Sequence, residues 1–202
     1  MRTLTTLARL CAALALVVLT LADAHAAGIG GLARWLEGVD LVEPIAAPRI
    51  ALLQPTLAPF AYARFCHENP ADCRGGASAF IAMTPHARRL IDGVNRQVNA
   101  AIAPRHDPAD VWLADPASGD CEDYALTKRR ALIRAGFPAS ALSIAVARTR
   151  FGEGHAVLVA RTSAGDFVLD NRTDLQREWH RTDLALMKIA SSENPRIWYA
   201  VR

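Results

Sequence analysis

The clearest pattern of hydrophobic and polar positions begins at Thr84 and ends at Pro104. Apolar residues recur there at helical spacing, with polar residues between them. Thr84 suits the N-cap and Pro85 the first helical position, and Pro104 interrupts the pattern. The sequence therefore predicts a long amphipathic helix whose buried positions are Leu90, Ile91, Val94, Val98 and Ile102.

A second helix is predicted to begin near Asp120 or Cys121 and to end at Gly136, which Pro138 follows. Its basic residues are concentrated in the C-terminal half, where they complement the helix dipole. Small and apolar residues supply its buried side, namely Tyr124, Ala125, Ala131, Leu132 and Ala135. Cys121 is thereby placed at the N-terminus of a helix.

Beyond the second helix the pattern becomes that of β-strands. Residues 142–148, 155–161, 166–170 and 197–201 form short segments that are apolar or alternate in polarity. A Ser-Ala-Gly turn at 163–165 joins two of them. Helices followed by an antiparallel sheet are typical of the α+β fold class, which we therefore expect.

The first 26 residues have the composition of a secretory signal peptide. Arg2 and Arg9 precede an apolar run over residues 10–21, and the small residues up to Ala26 suit a cleavage site. The run is about 12 residues long, shorter than the roughly 18–20 that a membrane-spanning helix needs. We therefore expect a cleaved signal peptide over residues 1–26 and an exported mature protein rather than a membrane anchor.

The remaining chain is long enough for one domain. Residues 27–60 are predicted to be an irregular N-terminal segment because four prolines interrupt them, and residues 61–202 are predicted to form the domain itself. The formal net charge is +3, and the Lys and Arg residues are dispersed along the chain. Nucleic-acid binding is therefore not expected.

Three cysteines follow the predicted signal peptide. Cys66 and Cys73 flank a short segment with a central Asn-Pro turn, and this spacing suits a local disulfide in an oxidising compartment. A metal site formed by Cys66, His67 and Cys73 is the alternative, but no fourth ligand is evident. Cys121 is left unpaired.

Cys121 stands among carboxylates in the segment Gly-Asp-Cys-Glu-Asp-Tyr at 119–124, which is a poor setting for a buried structural cysteine. A helix N-terminus and an adjacent imidazolium both lower the pKa of a thiol. His155 and Asp170 follow in the order of a thiol triad, so Cys121, His155 and Asp170 are the candidate catalytic residues. Plainer interpretations stay open: His155 as a satisfied, partly buried histidine and Asp170 as a turn residue.

Asp120, Glu122 and Asp123 would raise the pKa of Cys121 and oppose thiolate formation. A bound cation would remove this conflict, and calcium prefers such oxygen ligands. The alternative is that Asp120 caps the helix while Glu122 and Asp123 complement its dipole. No EF-hand pattern is present, and both interpretations stay open.

These motifs together resemble those of the bacterial transglutaminase-like cysteine proteinases, a periplasmic family with a papain-like fold that includes the LapG-type proteases. The resemblance extends over about residues 60–202. It rests on five features: the segment 119–125 with Lys128 beyond it, the glycine-flanked His155, Leu-Asp-Asn at 169–171, the Val-Asn pairs at 94–95 and 98–99, and Asp-Val-Trp at 110–112.

The resemblance implies a papain-like or transglutaminase-like domain with a Cys121, His155 and Asp170 triad. It also implies calcium bound by the carboxylates of Asp120 and Glu122, and less directly by that of Asp123. LapG-type members cut a surface adhesin and are controlled by an inner-membrane receptor, so an adhesin substrate and such a receptor are the implied partners. The cysteine pair and the Pro-rich start depart from the adhesin proteases, which allows another substrate.

The sequence therefore predicts an exported, calcium-dependent thiol protease that forms an acyl-enzyme at Cys121 and hydrolyses a protein substrate. A transglutaminase-type acyl transferase uses the same thioester and differs only in the nucleophile that reaches it. A calcium-stabilised periplasmic binding module without activity is the third alternative, although an unpaired thiol in an oxidising compartment argues against it.

Overall fold

The structure is a computed structural model that describes residues 47–77 and 79–202. The predicted signal peptide, and the predicted irregular segment as far as residue 46, lie outside the described residues. Within the two described ranges, no helix combines the length and the apolar character that crossing a membrane requires.

The described residues form three α-helices and two β-sheets. The larger sheet has seven strands in the order β1-β9-β8-β4-β5-β6-β7, and every neighbouring pair in it is antiparallel. The smaller sheet pairs β2 with β3 in parallel. This architecture confirms the predicted α+β fold class. The helices are α1 (Phe60–Glu68), α2 (Pro85–Ala101) and α3 (Cys121–Arg134), and the strands are β1 (Leu52–Thr56), β2 (Ala103–Pro104), β3 (Ser118–Gly119), β4 (Leu142–Arg148), β5 (Gly154–Thr162), β6 (Gly165–Leu169), β7 (Arg177–Glu178), β8 (Ala185–Ala190) and β9 (Trp198–Val201).

Helix α2 confirms the long helix predicted from the apolar periodicity. Thr84 Oγ1 accepts a hydrogen bond from the Ala87 N–H at 3.1 Å, and Pro85 lies in the first turn. Ile91 and Val98 are buried, as the pattern predicts. Capping and a single apolar face are therefore enough to specify this helix.

Helix α3 begins at Cys121, as predicted, and packs against both α2 and β5. A close approach determines where it begins, because a Cβ on Gly119 would lie 1.9 Å from Asp123 Oδ2 and no larger residue fits. Gly136 lies just beyond its end with a φ of +94°, in the left-handed region that glycine favours. Glycines thus define both ends of the helix that carries the candidate nucleophile.

Strands β4, β5 and β6 form the buried centre of the larger sheet and confirm three of the predicted strands. Their side chains alternate between two hydrophobic clusters. Leu158 belongs to the cluster that includes residues of all three helices, whereas Val157 and Val159 belong to a second cluster. Both faces of these strands are therefore covered, which explains their nearly continuous apolar sequences.

Residues 52–56 form strand β1, which corrects the irregular segment predicted for residues 27–60. Among the described strands it pairs only with β9, at the edge of the sheet, and an edge strand tolerates Pro55 because one side of it needs no partner. All of its residues are exposed, so no alternation of polarity marks it in the sequence. The first strand of the sheet thus precedes residue 61, the residue at which the domain was predicted to start.

Cys66, at the end of α1, forms a disulfide with Cys73 in the following loop, as the spacing predicts. Both cysteines are buried, and their sulfur atoms are joined in the disulfide, so neither provides a thiolate for the alternative metal site. Arg130 of α3 pairs with Asp72 in the same loop, with Nη2 2.6 Å from Oδ2. The disulfide and the ion pair together hold the loop between α1 and α3.

Replacing Cys66 and Cys73 by alanine is expected to lower the free energy of unfolding by about 2–3 kcal/mol, because the disulfide closes a short loop. The melting temperature should fall by roughly 5–10 °C. Calorimetry of the two proteins measures the difference. A variant that melts at the wild-type temperature would show that the disulfide does not stabilise the domain.

Candidate active site

Cys121 is the first residue of α3, and its thiol lies against the start of β5. The Sγ atom accepts a hydrogen bond from the Ala156 backbone N–H at 3.3 Å and donates to Glu122 Oε2 at 3.2 Å. The residue is partly buried and makes no disulfide. A free thiol therefore stands at a helix N-terminus, as the sequence predicts.

His155 immediately precedes Ala156 in β5, so its ring and the Cys121 thiol line the same cleft. Its Nε2 lies 2.9 Å from Asp170 Oδ1, and both side chains are buried. The structure thus brings the three predicted catalytic residues together at one place. Because Nε2 faces the carboxylate, Nδ1 is the ring nitrogen left for the thiol.

Arg172 holds the Asp170 carboxylate and was not identified from the sequence. Its backbone N–H donates to Oδ1 at 2.9 Å, and its Nε and Nη2 donate to Oδ2 at 2.9 and 2.7 Å. Burial alone would raise the pKa of Asp170, but the hydrogen bonds from His155 and Arg172 outweigh it and hold the pKa below its usual range. Only the conformation of the loop after β6 brings this arginine onto the carboxylate, so no signal in the sequence could have identified it.

Two asparagines of α2 hold the loop that carries Asp170. Asn99 Nδ2 donates to the backbone oxygens of Asp170 and Thr173 at 3.3 and 3.2 Å. Asn95 Nδ2 donates to the same Thr173 oxygen at 2.9 Å. These are the asparagines of the two Val-Asn pairs in the sequence. Their hydrogen bonds position the loop that carries Asp170.

The three carboxylates around Cys121 have different surroundings. Both oxygens of Asp123 accept backbone N–H groups, from Leu113 at 2.7 Å and from Asp120 at 3.3 Å, so this residue caps the helix. Asp120 Oδ2 accepts the Asp107 N–H at 3.1 Å, whereas its Oδ1 is buried without a hydrogen-bond partner among the described residues. Only Glu122 contacts the thiol directly.

Burial and mutual proximity raise the pKa values of this group. Burial, and then Asp120, raise the pKa of Glu122 to about 8, and burial raises that of Asp123 to about 6. The pKa of Cys121 rises to about 12, first through burial and then through the charge of Glu122. The carboxylates thus oppose thiolate formation, as the sequence indicates, and the helix N-terminus does not compensate for them.

Calcium fits part of this group. Within residues 47–77 and 79–202, no three carboxylate, imidazole or thiol groups converge to form a metal site by themselves. Calcium also takes carbonyl and water oxygens, and the unpartnered Asp120 Oδ1 and the crowded Glu122 are suitable carboxylate ligands. Asp123 fits less well, because both of its oxygens already accept hydrogen bonds.

An open cleft of about 1170 Å³ surrounds Cys121 and His155. Trp112 and Tyr124 line it, and hydrogen bonds fix both side chains. Trp112 Nε1–H donates to Asp110 Oδ1 at 2.8 Å, and the Tyr124 hydroxyl donates to a backbone oxygen of α2's C-cap at 2.6 Å. The cleft is large enough to accept an extended polypeptide beside the thiol.

Lys128 is fully buried on α3, and its Nζ has no hydrogen-bond partner among residues 47–77 and 79–202. Burial lowers the pKa of Lys128 to about 7, against the opposing effect of the Asp170 and Asp174 carboxylates. The Nζ atom also lies 5.9 Å from the centre of the Tyr124 ring. A buried ammonium without a hydrogen-bonding partner destabilises the folded state.

The fold and the site define a cysteine peptidase of the transglutaminase-like class. The sequence model of the bacterial transglutaminase-like cysteine proteinases, BTLCP, matches residues 52–202, and the chain belongs to this family. Membership confirms the resemblance drawn from the motifs around Cys121, His155 and Asp170.

Solved structures of LapG from Legionella pneumophila are similar to this chain. The calcium-bound form has 24% sequence identity and a TM-score of 0.51, with 59% of this chain and 71% of that chain covered. The EGTA-treated form has 24% identity and a TM-score of 0.49, covering 59% and 69%. At this identity the similarity concerns the fold. A search of curated protein sequences finds no match.

Replacing Lys128 by methionine is expected to stabilise the protein by about 1–3 kcal/mol at pH 7, because the variant buries no ammonium. Between pH 7 and about 10.5 the unfolded wild type binds one more proton at this lysine than the folded protein does. Rising pH should therefore stabilise the wild type relative to the variant, and the advantage of the variant should shrink.

Urea unfolding of both proteins at several pH values measures this difference. Lys188→Met is the matched control, since Lys188 is only half-buried and its ammonium donates to a backbone oxygen at 3.0 Å. The expectation would be wrong if Lys128→Met were less stable than the wild type, or if the difference in free energy of unfolding did not change with pH. Either result would show that the Lys128 ammonium has a hydrogen-bonding or charged partner.

Proposed function

We propose that this protein is an exported, calcium-dependent thiol protease that cleaves a protein substrate through Cys121, His155 and Asp170. The observation that carries the proposal is the buried contact of 2.9 Å between His155 and Asp170 beside the Cys121 thiol. That contact fixes the orientation of the imidazole.

In the acylation step, Cys121 Sγ attacks the carbonyl carbon of the scissile peptide bond while His155 Nδ1 accepts the thiol proton. The C–N bond then breaks, and the leaving amine takes that proton from His155. The backbone N–H of Cys121 has no acceptor within its helix and is one donor to the oxyanion. Water activated by His155 then hydrolyses the thioester, and the proton returns to Cys121.

The proposal assigns Asp170 and Arg172 to the orientation of His155. Asp170 stays ionised throughout because Arg172 donates three hydrogen bonds to it. An ionised carboxylate on Nε2 favours the imidazolium that forms when the thiol loses its proton. The arginine therefore acts through the aspartate, as a positioning residue.

Calcium is the proposed cofactor because burial and Glu122 hold the thiol in its protonated form. When bound by Asp120 and Glu122, calcium would supply a positive charge that offsets these carboxylates and lowers the pKa of the thiol. Asp123 would support the site by holding the start of α3. The calcium-bound form of LapG, a protein of similar fold, supports this proposal.

The proposed substrate is a cell-surface adhesin and the proposed regulator an inner-membrane receptor, both on the strength of the resemblance to LapG-type proteases. Residues 1–26 support export, because they have the composition of a signal peptide. The disulfide between Cys66 and Cys73 supports an oxidising compartment. The periplasm is therefore the proposed location.

Labelling of Cys121 by iodoacetamide tests the triad without knowledge of the substrate. Replacing His155 by alanine should slow labelling at pH 7 by about tenfold or more, because the imidazolium no longer stabilises the thiolate. Mass spectrometry of the folded protein in calcium measures the rate. His180→Ala removes an exposed histidine outside the cleft and should label at the wild-type rate. Equal rates in all three proteins would contradict the triad.

Calcium is expected to raise the melting temperature of the wild type by roughly 5–10 °C over EGTA, as a ligand at about a hundredfold excess over its Kd would. The Asp120→Asn, Glu122→Gln double variant should lose this shift. Glu193→Gln removes an exposed carboxylate elsewhere and should keep it. An equal shift in all three proteins would place calcium at another site.

A further inference from the structure

A second cleft, of about 510 Å³, adjoins the catalytic cleft and meets it at Arg172, which lines both. We call it the arginine cleft, because four arginines line it, namely Arg150, Arg172, Arg177 and Arg181. The formal charge of the whole chain is only +3, so this concentration of guanidinium groups is local.

Two of the four arginines are already neutralised. Arg172 Nη2 lies 2.7 Å from Asp170 Oδ2 and 2.7 Å from Asp183 Oδ1, and Arg181 Nε lies 3.0 Å from Glu178 Oε2. Ion pairs within the protein therefore compensate the charges of Arg172 and Arg181.

Arg150 and Arg177 form no ion pair with any residue of the described ranges, and both are exposed. The Arg150 guanidinium lies 4.7 Å from the centre of the Phe151 ring, which covers one face of it. The N–H groups at the edge of a stacked guanidinium stay available as donors. The arginine cleft thus has two guanidinium groups that are not paired within the described residues and can each donate hydrogen bonds to a carboxylate.

We propose that the arginine cleft binds an acidic segment of the substrate polypeptide, through its Asp or Glu side chains to Arg150 and Arg177. The inference rests on the proposed function. Because Arg172 lines both clefts, a chain that lies across Cys121 and extends past Arg172 would reach the arginine cleft.

A polypeptide fits this cleft better than a small inorganic anion does. Leu175 lines the cleft and is 62% exposed, so the ligand meets an apolar side chain as well as guanidinium groups. The volume of about 510 Å³ also exceeds what a single phosphate fills. An acidic peptide supplies both carboxylates and aliphatic surface.

The probe is a fluorescein-labelled peptide of alternating Glu and Gly, with a Gln-Gly peptide of the same length as the neutral control. Fluorescence anisotropy measures its binding to the Cys121→Ala protein, so the result does not depend on whether Cys121 is catalytic. The test variant adds Arg150→Ser and Arg177→Ser. The matched control adds Arg89→Ser and Arg96→Ser, which remove two exposed charges of α2 outside both clefts.

The acidic peptide should bind the Cys121→Ala protein, and more weakly as salt is raised, while the Gln-Gly peptide should not bind. Its Kd should increase about tenfold or more in the Arg150, Arg177 variant and by no more than about twofold in the control variant. No binding, or equal weakening in both variants, would overturn the proposal.

Two further ligands test whether the arginine cleft recognises a free anion or a lipid surface instead of an acidic peptide. Inorganic phosphate and vesicles containing phosphatidylglycerol are tested on the same proteins. If either binds through Arg150 and Arg177 while the acidic peptide does not, the cleft recognises a free anion or a lipid surface, and the proposal is wrong. Labelling of Cys121 by iodoacetamide reports separately on the proposed peptidase function.

Discussion

The contact between the first turn of α3 and the start of β5 is the constraint on which the rest of the structure depends. It places Cys121 Sγ 3.3 Å from the Ala156 N–H, one residue along the strand from His155. Antiparallel pairing of β5 with β6 then brings Asp170, just beyond the end of β6, beside the histidine. This packing contact and the β5–β6 pairing thus bring together a thiol from a helix, an imidazole from a strand and a carboxylate from the next loop.

The same contact creates an electrostatic conflict. A helix N-terminus favours an anion, but burial and the carboxylates of Asp120 and Glu122 outweigh this effect and raise the pKa of the thiol. Asp170 faces no such conflict, because Arg172 compensates its charge within the protein. Within the described residues, the charge of Asp170 is therefore compensated, whereas the charges of Asp120 and Glu122 beside Cys121 are not, and it is there that the proposed calcium ion would act.

Local signals explain how much of the fold the sequence could predict. Helix α2 has a Thr84 cap and an apolar stripe, and β4 to β6 are buried runs, whereas β1 is an exposed edge strand and α1 has no capping side chain. At the site, the order of cysteine, histidine and aspartate, together with the family resemblance, indicated three residues that the structure brings together. The hydrogen bonds from Arg172 to Asp170, and those that both oxygens of Asp123 accept from backbone N–H groups, depend on loop conformation and long-range packing. No spacing in the sequence reveals them.

The most direct test of this electrostatic account is an ultraviolet titration of the Cys121 thiolate, measured as the difference between the wild type and Cys121→Ala in calcium and in EGTA. If the carboxylates keep the thiol protonated until a cation binds, the thiolate should form near or below neutral pH in calcium and only well above it in EGTA. The same titration curve in both solutions, with a thiol pKa far above neutral, would contradict the account.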